Sequence, residues 1–374
     1  MLRAGWPSGS GSGSQSCERR FDSSSRLGER LGEPDRVERA RPGAVPGGCV
    51  MRTLFVATVG GHLAQLVEIA GRLPGGGDDV AIWATSDNAQ SRSLLDGKAV
   101  EFIPHVGPKD VRGVVRAVPI ARRLHREYHF DRVISTGSAT AVGYLPYLAA
   151  RGVRAHYIES STRIAGMSTS GRILNAIPGI NLYTQYEHRV EGRWHYAGWV
   201  YDRYTAHRLP DTPMIRRAVV SLGTSPGFEF RRMLDALEPL LRPGGMLEQK
   251  QGEPVETLWQ TGCTPDGLDL DARQWVAAED METAIAAADV VISHAGTGSA
   301  LSAMNAGRLP VLIPRDETRG EVGDGHQQLF AAELQKRGVA IACPPEALNV
   351  DDLLYAASYR VEAATTPPPF QLRP

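Results

Sequence analysis

Short runs of apolar, β-branched residues alternate with longer segments of helical periodicity from residue 51 onward. This alternation is typical of parallel β-sheets covered by helices on both faces. The pattern predicts two groups of strands. The first comprises residues 53–57, 80–83, 100–103, 133–135 and 155–158, and the second comprises residues 218–222, 257–260, 290–293 and 311–314. We therefore expect two similar doubly wound α/β lobes.

The two groups of strands are separated by residues 207–213, whose two prolines and polar side chains suit a linker. This boundary gives lobes at 51–206 and 214–365, followed by a tail at 366–374. Within the second lobe, residues 349–364 are predicted as a last helix that docks across the cleft. A cleft between two such lobes is the expected ligand site, because loops at the carboxyl ends of both sheets converge there.

Residues 1–50 carry Gly/Ser runs, alternating Arg and Glu, and scattered prolines, with almost no periodic apolar positions. Such a segment cannot offset the entropy cost of ordering, so we expect it to be a disordered tail. Met51 stands immediately before the first predicted strand. One hypothesis is that the tail is a mis-assigned start and that translation begins at Met51, which the intact mass of the native protein tests.

Charge and cysteine usage narrow the classes of function. The 374 residues include 41 Lys plus Arg against 42 Asp plus Glu, a net charge of -1, so no nucleic-acid partner is expected. The four cysteines, at positions 17, 49, 263 and 343, have no metal-ligand spacing. They favour a cytoplasmic, reducing compartment. No signal peptide or membrane span is predicted.

The first predicted strand runs into a turn formed by Gly60, Gly61 and His62, followed by a helical segment. Glycines allow close backbone approach, and the first-turn amides and the helix dipole favour an anion such as a diphosphate. His62, with an unperturbed pKa near ~6.5, would take a proton from a hydroxyl if it faces the cleft. A histidine that only caps or packs is the alternative interpretation.

Two further motifs follow strand ends in the first lobe. Ser135, Thr136 and Gly137 offer hydroxyls and amides to phosphate or sugar, although such turns are often small and polar for steric reasons alone. Glu159 follows an apolar strand, and Arg163 lies four residues later. These two residues could simply pair with each other, whereas their place at the carboxyl end of a strand favours a functional role.

The second lobe repeats the strand-to-turn pattern with groups suited to a nucleotide diphosphate. The most specific stretch delivers a histidine, two glycines and two hydroxyl residues to a helix start: His294, Gly296, Thr297, Gly298 and Ser299. Backbone amides there can bind a diphosphate while the histidine donates to it or to a sugar. The stretch lacks the third glycine of a nicotinamide-binding fingerprint.

Three other sites offer polar groups to a bound nucleotide or sugar. One strand ends in Ser221, Gly223 and Thr224, which supply hydroxyl groups and amides, and the next strand ends in Gln260. Amide side chains at a helix start suit sugar hydroxyls, and they belong to Gln327 and Gln328.

These motifs resemble those of family 28 glycosyltransferases. The C-terminal donor-binding domain of that family, including the Alg13 type, is similar to this chain at residues 292–299, at the Gly307 to Pro310 segment and at the segment with Pro314, Arg315, His326 and Gln327. Residues 59–63, 133–137 and 157–160 resemble the Alg14 type. The likeness runs from residue 51 to about residue 364, as an Alg14-like lobe fused to an Alg13-like lobe in the MurG-like order.

The resemblance implies a GT-B fold, in which two Rossmann-like, doubly wound parallel-sheet domains face a cleft. It implies a UDP-sugar in the C-terminal lobe. Around the donor it places Ser221, Gly223, Thr224, His294, Gly296, Thr297, Gly298, Ser299, Gln327 and Gln328, and around the acceptor it places Gly60, Gly61 and His62. The strand-end motifs described above add Gln260 to the expected donor contacts, and they add Ser135, Thr136, Gly137 and Arg163 to the expected acceptor contacts. Two positions depart from the family, which often carries glutamates where this chain has Ser302 and Leu329.

The predicted activity is inverting transfer of an N-acetylhexosamine or hexose from a UDP-sugar to a lipid-linked or polysaccharide-precursor acceptor, in cell-envelope polysaccharide synthesis. His62, or Glu159 as second choice, would remove the acceptor proton, while helix-start amides stabilise the leaving diphosphate. No metal and no cofactor beyond the co-substrate are expected. A sugar-nucleotide 2-epimerase and a non-catalytic nucleotide-sugar-binding subunit stay open as alternatives.

Residues 111–126 place apolar side chains at helical spacing beside five arginines: Arg112, Arg116, Arg122, Arg123 and Arg126. This surface could rest on an anionic leaflet next to a lipid-linked acceptor, which gives a peripheral location on the inner face of the plasma membrane. A solvated basic helix face, interrupted at Pro119, is the other open interpretation.

Overall fold

The computed structural model describes residues 50–74, 80–107, 109–211, 214–223, 227–265, 267, 270–323 and 325–373. The prediction of a disordered tail at 1–50 therefore lies outside the described residues, apart from Val50. The candidate donor contact Thr224 also lies outside them.

The first lobe is built on a seven-stranded parallel sheet with the order β3-β2-β1-β4-β5-β6-β7. Its strands are β1 (Arg52–Val56), β2 (Val80–Thr85), β3 (Ala99–Phe102), β4 (Arg132–Ser135), β5 (Arg154–Ile158), β6 (Ile180–Thr184) and β7 (Trp194–Tyr196). Its helices are α1 (Gly61–Ala70), α2 (Ala89–Leu94), α3 (Val111–Tyr128), α4 (Ser138–Ala149) and α5 (Thr169–Asn175), with a 3-10 turn at Glu187–Arg189. The strand order reverses between β1 and β4, and a ligand crevice is expected at such a switch point.

The second lobe contains a six-stranded parallel sheet with the order β11-β10-β9-β12-β13-β14. Its strands are β9 (Arg217–Ser221), β10 (Glu256–Gln260), β11 (Ala272–Arg273), β12 (Val290–His294), β13 (Val311–Ile313) and β14 (Ile341–Ala342). Its helices are α6 (Arg231–Leu241), α7 (Met246–Gln251), α8 (Ala278–Ala287), α9 (Thr297–Asn305), α10 (His326–Lys336) and α11 (Val350–Ala357), with 3-10 turns at Glu317–Arg319 and Pro345–Ala347. Here the order reverses between β9 and β12.

Two further strands connect the lobes. Strand β8 (Tyr204–Arg208) leaves the first lobe and pairs antiparallel with β15 (Tyr359–Ala363) at the end of the second. The prediction of one helix over residues 349–364 is therefore wrong beyond Ala357, because residues 359–363 find a strand partner about 150 positions earlier in the chain. Strand β8 also includes residues 207 and 208 of the predicted linker.

The remaining unpredicted strands are β6, β7, β11 and β14. Helix α3 runs through Pro119 without interruption, contrary to one interpretation above. Proline has no amide hydrogen, so Pro119 cannot donate to the Val115 carbonyl four residues earlier. Both residues are exposed, so that carbonyl can bind water instead.

One hydrophobic core is shared by the two lobes. It contains Leu66 of α1, Tyr201 of the connecting segment, Leu301 of α9 and Phe330 of α10, each almost fully buried. Two further cores lie on the other faces of the two sheets. The lobes are thus in direct contact along α1 and α9, and the carboxyl ends of their central strands meet at the top of that contact.

The described part of the predicted tail at 366–374 packs on the first lobe. Phe370 is fully buried, and the Arg72 guanidinium lies 4.6 Å from its ring centroid. The Phe370 amide donates to the Arg72 carbonyl at 3.0 Å. A lone aromatic residue after a proline run gave no periodic signal from which this packing could be predicted.

Candidate functional site

His62 lies in the first turn of α1, directly after the switch point of the first sheet. Its Nδ1 is 2.9 Å from the Thr136 carbonyl oxygen, and since a carbonyl only accepts, Nδ1 carries the proton. The Nε2 atom then holds the lone pair. The ring is therefore held in the tautomer that a general base needs.

Burial lowers the pKa of His62. The hydrogen bond that His62 donates to the Thr136 carbonyl and the charge of Glu159 partly oppose this shift, while the positive charge of Arg163 adds to it. The net effect favours the neutral, proton-accepting ring at neutral pH.

The turn of Ser135, Thr136 and Gly137 supports His62. The Thr136 hydroxyl donates to the His62 carbonyl at 2.7 Å, and the Ser135 hydroxyl accepts from the Gly137 amide at 3.3 Å. Gly137 has φ +120, and a Cβ there would lie 3.2 Å from His62 Cε1. Both hydroxyl residues are fully buried. Their side chains thus hold the turn and the histidine, while the Gly137 end of the turn lies against the histidine ring.

Glu159 lies in the loop after β5, is 2% exposed, and has both carboxylate oxygens engaged. Oε1 accepts from the Tyr157 hydroxyl at 2.9 Å, and Oε2 accepts from the Ser168 amide at 3.1 Å. Burial, together with the Glu159 charge, raises the pKa of Tyr157 well above its usual value. Arg163 is partly buried in the same loop, where its carbonyl accepts from Arg189 at 2.7 Å.

His294 ends β12 in the second lobe, where its ring lies between two glycines. A Cβ on Gly223, which has φ +91, would lie 2.8 Å from the ring, and a Cβ on Gly296 would overlap it. Burial, with the nearby Arg315 charge, lowers the pKa of His294 to about 4, although the Ser221 backbone opposes this. Its Nδ1 is buried without a hydrogen-bond partner among the described residues. The ring is therefore neutral and wedged against the turn that opens α9.

Ser221 and Gln260 are joined to each other at the ends of neighbouring strands. The Gln260 amide donates to the Ser221 hydroxyl oxygen at 3.0 Å and accepts from the Val276 amide at 3.1 Å. The buried Gln260 side chain therefore orders the strand ends, and the adjacent loop presents Trp275, 53% exposed, to solvent.

Gln327 lies in the first turn of α10, where its side-chain oxygen accepts from the Arg315 amide at 3.1 Å. Gln328 is exposed. The Arg315 side chain, only 4% exposed, donates to the carbonyls of Leu222, Phe228, Glu229 and Glu321, at distances of 2.7 to 3.2 Å. Arg315 lies in the segment that resembles the family, but the sequence pattern predicts no role for its side chain. An arginine directly after a buried strand is the signal that could have indicated one.

Helices α1 and α9 bring the two glycine turns together. Both helices begin at a glycine without a side-chain cap, Gly60 and Gly296. A Cβ on Gly61 would overlap the Thr297 hydroxyl, and a Cβ on Gly298 would lie 3.8 Å from the Gly61 Cα. Two helix N-terminal ends, each carrying partial positive charge, therefore lie side by side, and such an arrangement favours an anion.

Gln65 is a polar residue of α1 at its contact with α9, and it was not predicted as a site residue. It is fully buried; its amide donates to Ser160 Oγ at 3.1 Å, and its oxygen accepts from the Ser161 amide at 2.8 Å and from Gln185 at 3.1 Å. These bonds tie α1 to the Glu159 loop. A glutamine at a buried position of an apolar helix is the signal that marks it.

The sequence of the second lobe matches a known family. Residues 266–359 match the family model described as the glycosyltransferase family 28 C-terminal domain. The match includes β12, the turn at Gly296 to Ser299 and α9. Comparison with curated proteins gives no match.

Solved structures share the two-lobed architecture. The spinosyn forosaminyltransferase SpnP aligns with a TM-score of 0.50 and 14% identity over 83% of this chain and 93% of that chain. The glycotransferase of kitacinnamycin aligns with a TM-score of 0.50 and 14% identity over 82% and 89% of the two chains. Acinetobacter baumannii MurG gives 0.49 and 17% identity over 81% and 89%.

The fold is GT-B, with two Rossmann-like parallel-sheet lobes, as predicted. The match of residues 266–359 to the glycosyltransferase family 28 C-terminal domain, together with the GT-B fold, supports a glycosyltransferase.

Proposed function

We propose that this glycosyltransferase moves a hexose or N-acetylhexosamine from a UDP-sugar to a lipid-linked or polysaccharide-precursor acceptor, with inversion at the anomeric carbon. The observation that carries the proposal is the pair of uncapped helix starts at Gly60 and Gly296, side by side at the switch points of two sheets. A diphosphate is the anion that a sugar donor brings to such a site.

The donor would be held mainly by the second lobe. Amides of the first turn of α9, with the partly exposed Ser299, would bind the diphosphate, and the Gln327 side-chain nitrogen would remain available to sugar hydroxyls. The exposed Trp275 ring lies beside the ends of β10 and β11, where it could stack on a nucleobase.

His62 is the better candidate base. Its Nε2 would take the proton of the acceptor hydroxyl as the hydroxyl oxygen bonds to the anomeric carbon. The bond between the anomeric carbon and the phosphate oxygen would break, and its electron pair would leave with the diphosphate. The carboxylate of Glu159 is buried and already accepts two hydrogen bonds, so it would serve the site through the Tyr157 and Ser168 contacts.

Helix α3 supplies a candidate surface for a lipid-linked acceptor. It exposes Val111 by 74% and Val115 by 65%, next to the exposed Arg112 and Arg116. Apolar side chains within a basic helix face suit an anionic lipid surface. No helix among the described residues is long and apolar enough to cross a membrane.

The experiment is incubation of the protein with a panel of radiolabelled nucleotide sugars and a membrane lipid extract, with and without a chelator. We expect UDP release and a labelled lipid or glycan product of inverted configuration, with equal rates in both buffers. UDP release or an epimer without acceptor would instead support an epimerase, and nucleotide binding without turnover a non-catalytic subunit. Either of these results contradicts the proposal.

A further inference from the structure

Helices α1 and α9 lie side by side and run in the same direction. Gly61 meets Thr297 at their N-terminal ends, and seven to eight residues further along each helix Glu68 meets Asn305. Both helices therefore advance by the same distance between the two contacts. The contact of Glu68 with Asn305 therefore sets the position of one helix start relative to the other along the helix axes.

A network of side chains holds that second contact. Asn305 Nδ2 donates to Glu68 Oε1 at 3.1 Å, and the Tyr204 hydroxyl donates to Asn305 Oδ1 at 2.5 Å. Arg203 Nη1 donates to Glu68 Oε2 at 2.7 Å. A carboxylate only accepts, so the amide nitrogen must face Glu68, and both terminal atoms of each side chain are engaged.

The network joins three parts of the molecule: α1 of the first lobe, α9 of the second, and strand β8 between them. The side chains of Glu68 and Arg203 are 12% and 27% exposed, so water screens their ion pair only partly, whereas Asn305 is exposed.

We propose that Glu68 and Asn305 are positioning residues, which hold His62 level with the diphosphate turn at Gly296 to Ser299. This role rests on the proposed function. Neither residue touches substrate. A shift of about 1 Å between base and donor can lower the rate about 100-fold, so a contact that sets helix register controls turnover more than donor binding.

Isosteric substitutions test this role. Asn305→Asp opposes two carboxylates across the lobe contact, and we expect kcat to fall about 10–100-fold with the Kd for UDP within about 3-fold of wild type. Adding Glu68→Gln reverses the direction of the hydrogen bond between the side chains at positions 68 and 305. The amide introduced at position 68 donates to the carboxylate introduced at position 305 and accepts from Arg203, and the Tyr204 bond stays in place. The double variant should regain kcat to within about 3-fold of wild type.

Asn175→Asp is the matched control, because Asn175 is also the last residue of a helix, α5, and its contact with Arg193 is made by its backbone carbonyl, which the substitution leaves in place. It should leave kcat unchanged. Wild-type kcat in Asn305→Asp, or no recovery in the double variant, overturns the positioning role while wild type still transfers sugar. A wild-type protein that transfers no sugar overturns the proposed function instead.

Discussion

At the scale of single residues, the proposed reaction depends most on His62, whose Nδ1–H is held by the Thr136 carbonyl. His62→Ala removes the proton acceptor, and loss of a general base typically costs about 10²–10⁴ in rate. We expect kcat, measured by product formation, to fall by that factor. The Kd for UDP, measured by isothermal titration calorimetry, should stay nearly unchanged. His105→Ala, at an exposed histidine, is the control. Wild-type turnover in His62→Ala would place the base elsewhere.

Two other histidines should make stability depend on pH. Burial is the main cause that lowers the pKa of both His156 and His294 to about 4. Between pH 4 and about 6.5 the folded state then binds fewer protons than the unfolded state, so the free energy of unfolding decreases as pH falls through that window. The slope is at most about 1.4 kcal/mol per pH unit for each histidine.

The comparison of His156→Phe with wild type tests this dependence. His156 is 1% exposed and stacks 5.8 Å from Tyr183, so phenylalanine keeps the ring contact and removes the titrating group. Urea unfolding at about pH 7 and about pH 5 should show a smaller pH dependence in the variant. An equal dependence in both proteins would contradict the assignment.

At the scale of elements, the contact of α1 with α9 requires a glycine at position 61. A Cβ there would overlap the Thr297 hydroxyl, so Gly61→Ala must rotate Thr297 or separate the helices. We expect kcat/KM to fall at least about 10-fold, because base and donor turn move apart. Gly107→Ala is the control, since nothing lies within 4 Å of its Cβ position. Unchanged kinetics in Gly61→Ala would show that the helices tolerate separation.

The surface of α3 provides a second test at this scale. Val111→Ser with Val115→Ser removes two exposed apolar side chains, each worth on the order of 1 kcal/mol when buried in a lipid interface. We expect binding to anionic vesicles at low salt to weaken about 10-fold in co-sedimentation. Met246→Ser, at an exposed methionine of the second lobe, should bind like wild type. Vesicle binding by the wild-type protein that does not depend on anionic lipid would rule out this surface.

The sequence predicted the strands around each switch point and missed others, for a physical reason. Strands such as β1 and β12 are buried apolar runs, and local pattern alone identifies them. Strands β8 and β15 are largely polar, and they pair with each other across about 150 positions of the chain. Pairing between distant segments of the chain leaves no periodic signal in either one.

The candidate site divides in the same way. The glycine turns follow from strand, turn and helix order, so Gly61 and Gly296 could be found from sequence. That Glu68 faces Asn305 could not, because the lobe contact depends on how two sheets are packed through a shared core. The proposed stacking of a nucleobase on Trp275 likewise depends on the exposure of that ring, which is a tertiary property.

At the scale of the whole molecule, the end of the chain ties the second lobe back to the first. After β15, the Pro368 carbonyl accepts from Arg72 Nε at 2.8 Å. The Arg72 side chain also donates to the Trp199 carbonyl at 2.8 Å, and the Phe370 ring is buried beneath the guanidinium. Because these contacts bridge the first lobe, the connecting segment and the chain end, we expect the described fold to unfold in one cooperative transition.

Phe370→Ala tests that role of the chain end. Truncation of a buried phenylalanine costs about 3–5 kcal/mol, and the lower value is expected here because a terminal segment can detach locally instead of leaving a cavity. Urea unfolding should show this loss, with a second transition emerging as the lobes uncouple. Gln371→Ala is the control, since that side chain is exposed and only its backbone bonds to Ala197. Wild-type stability in Phe370→Ala would mean that the shared core alone joins the lobes, and the chain end would then be dispensable for holding α1 against α9.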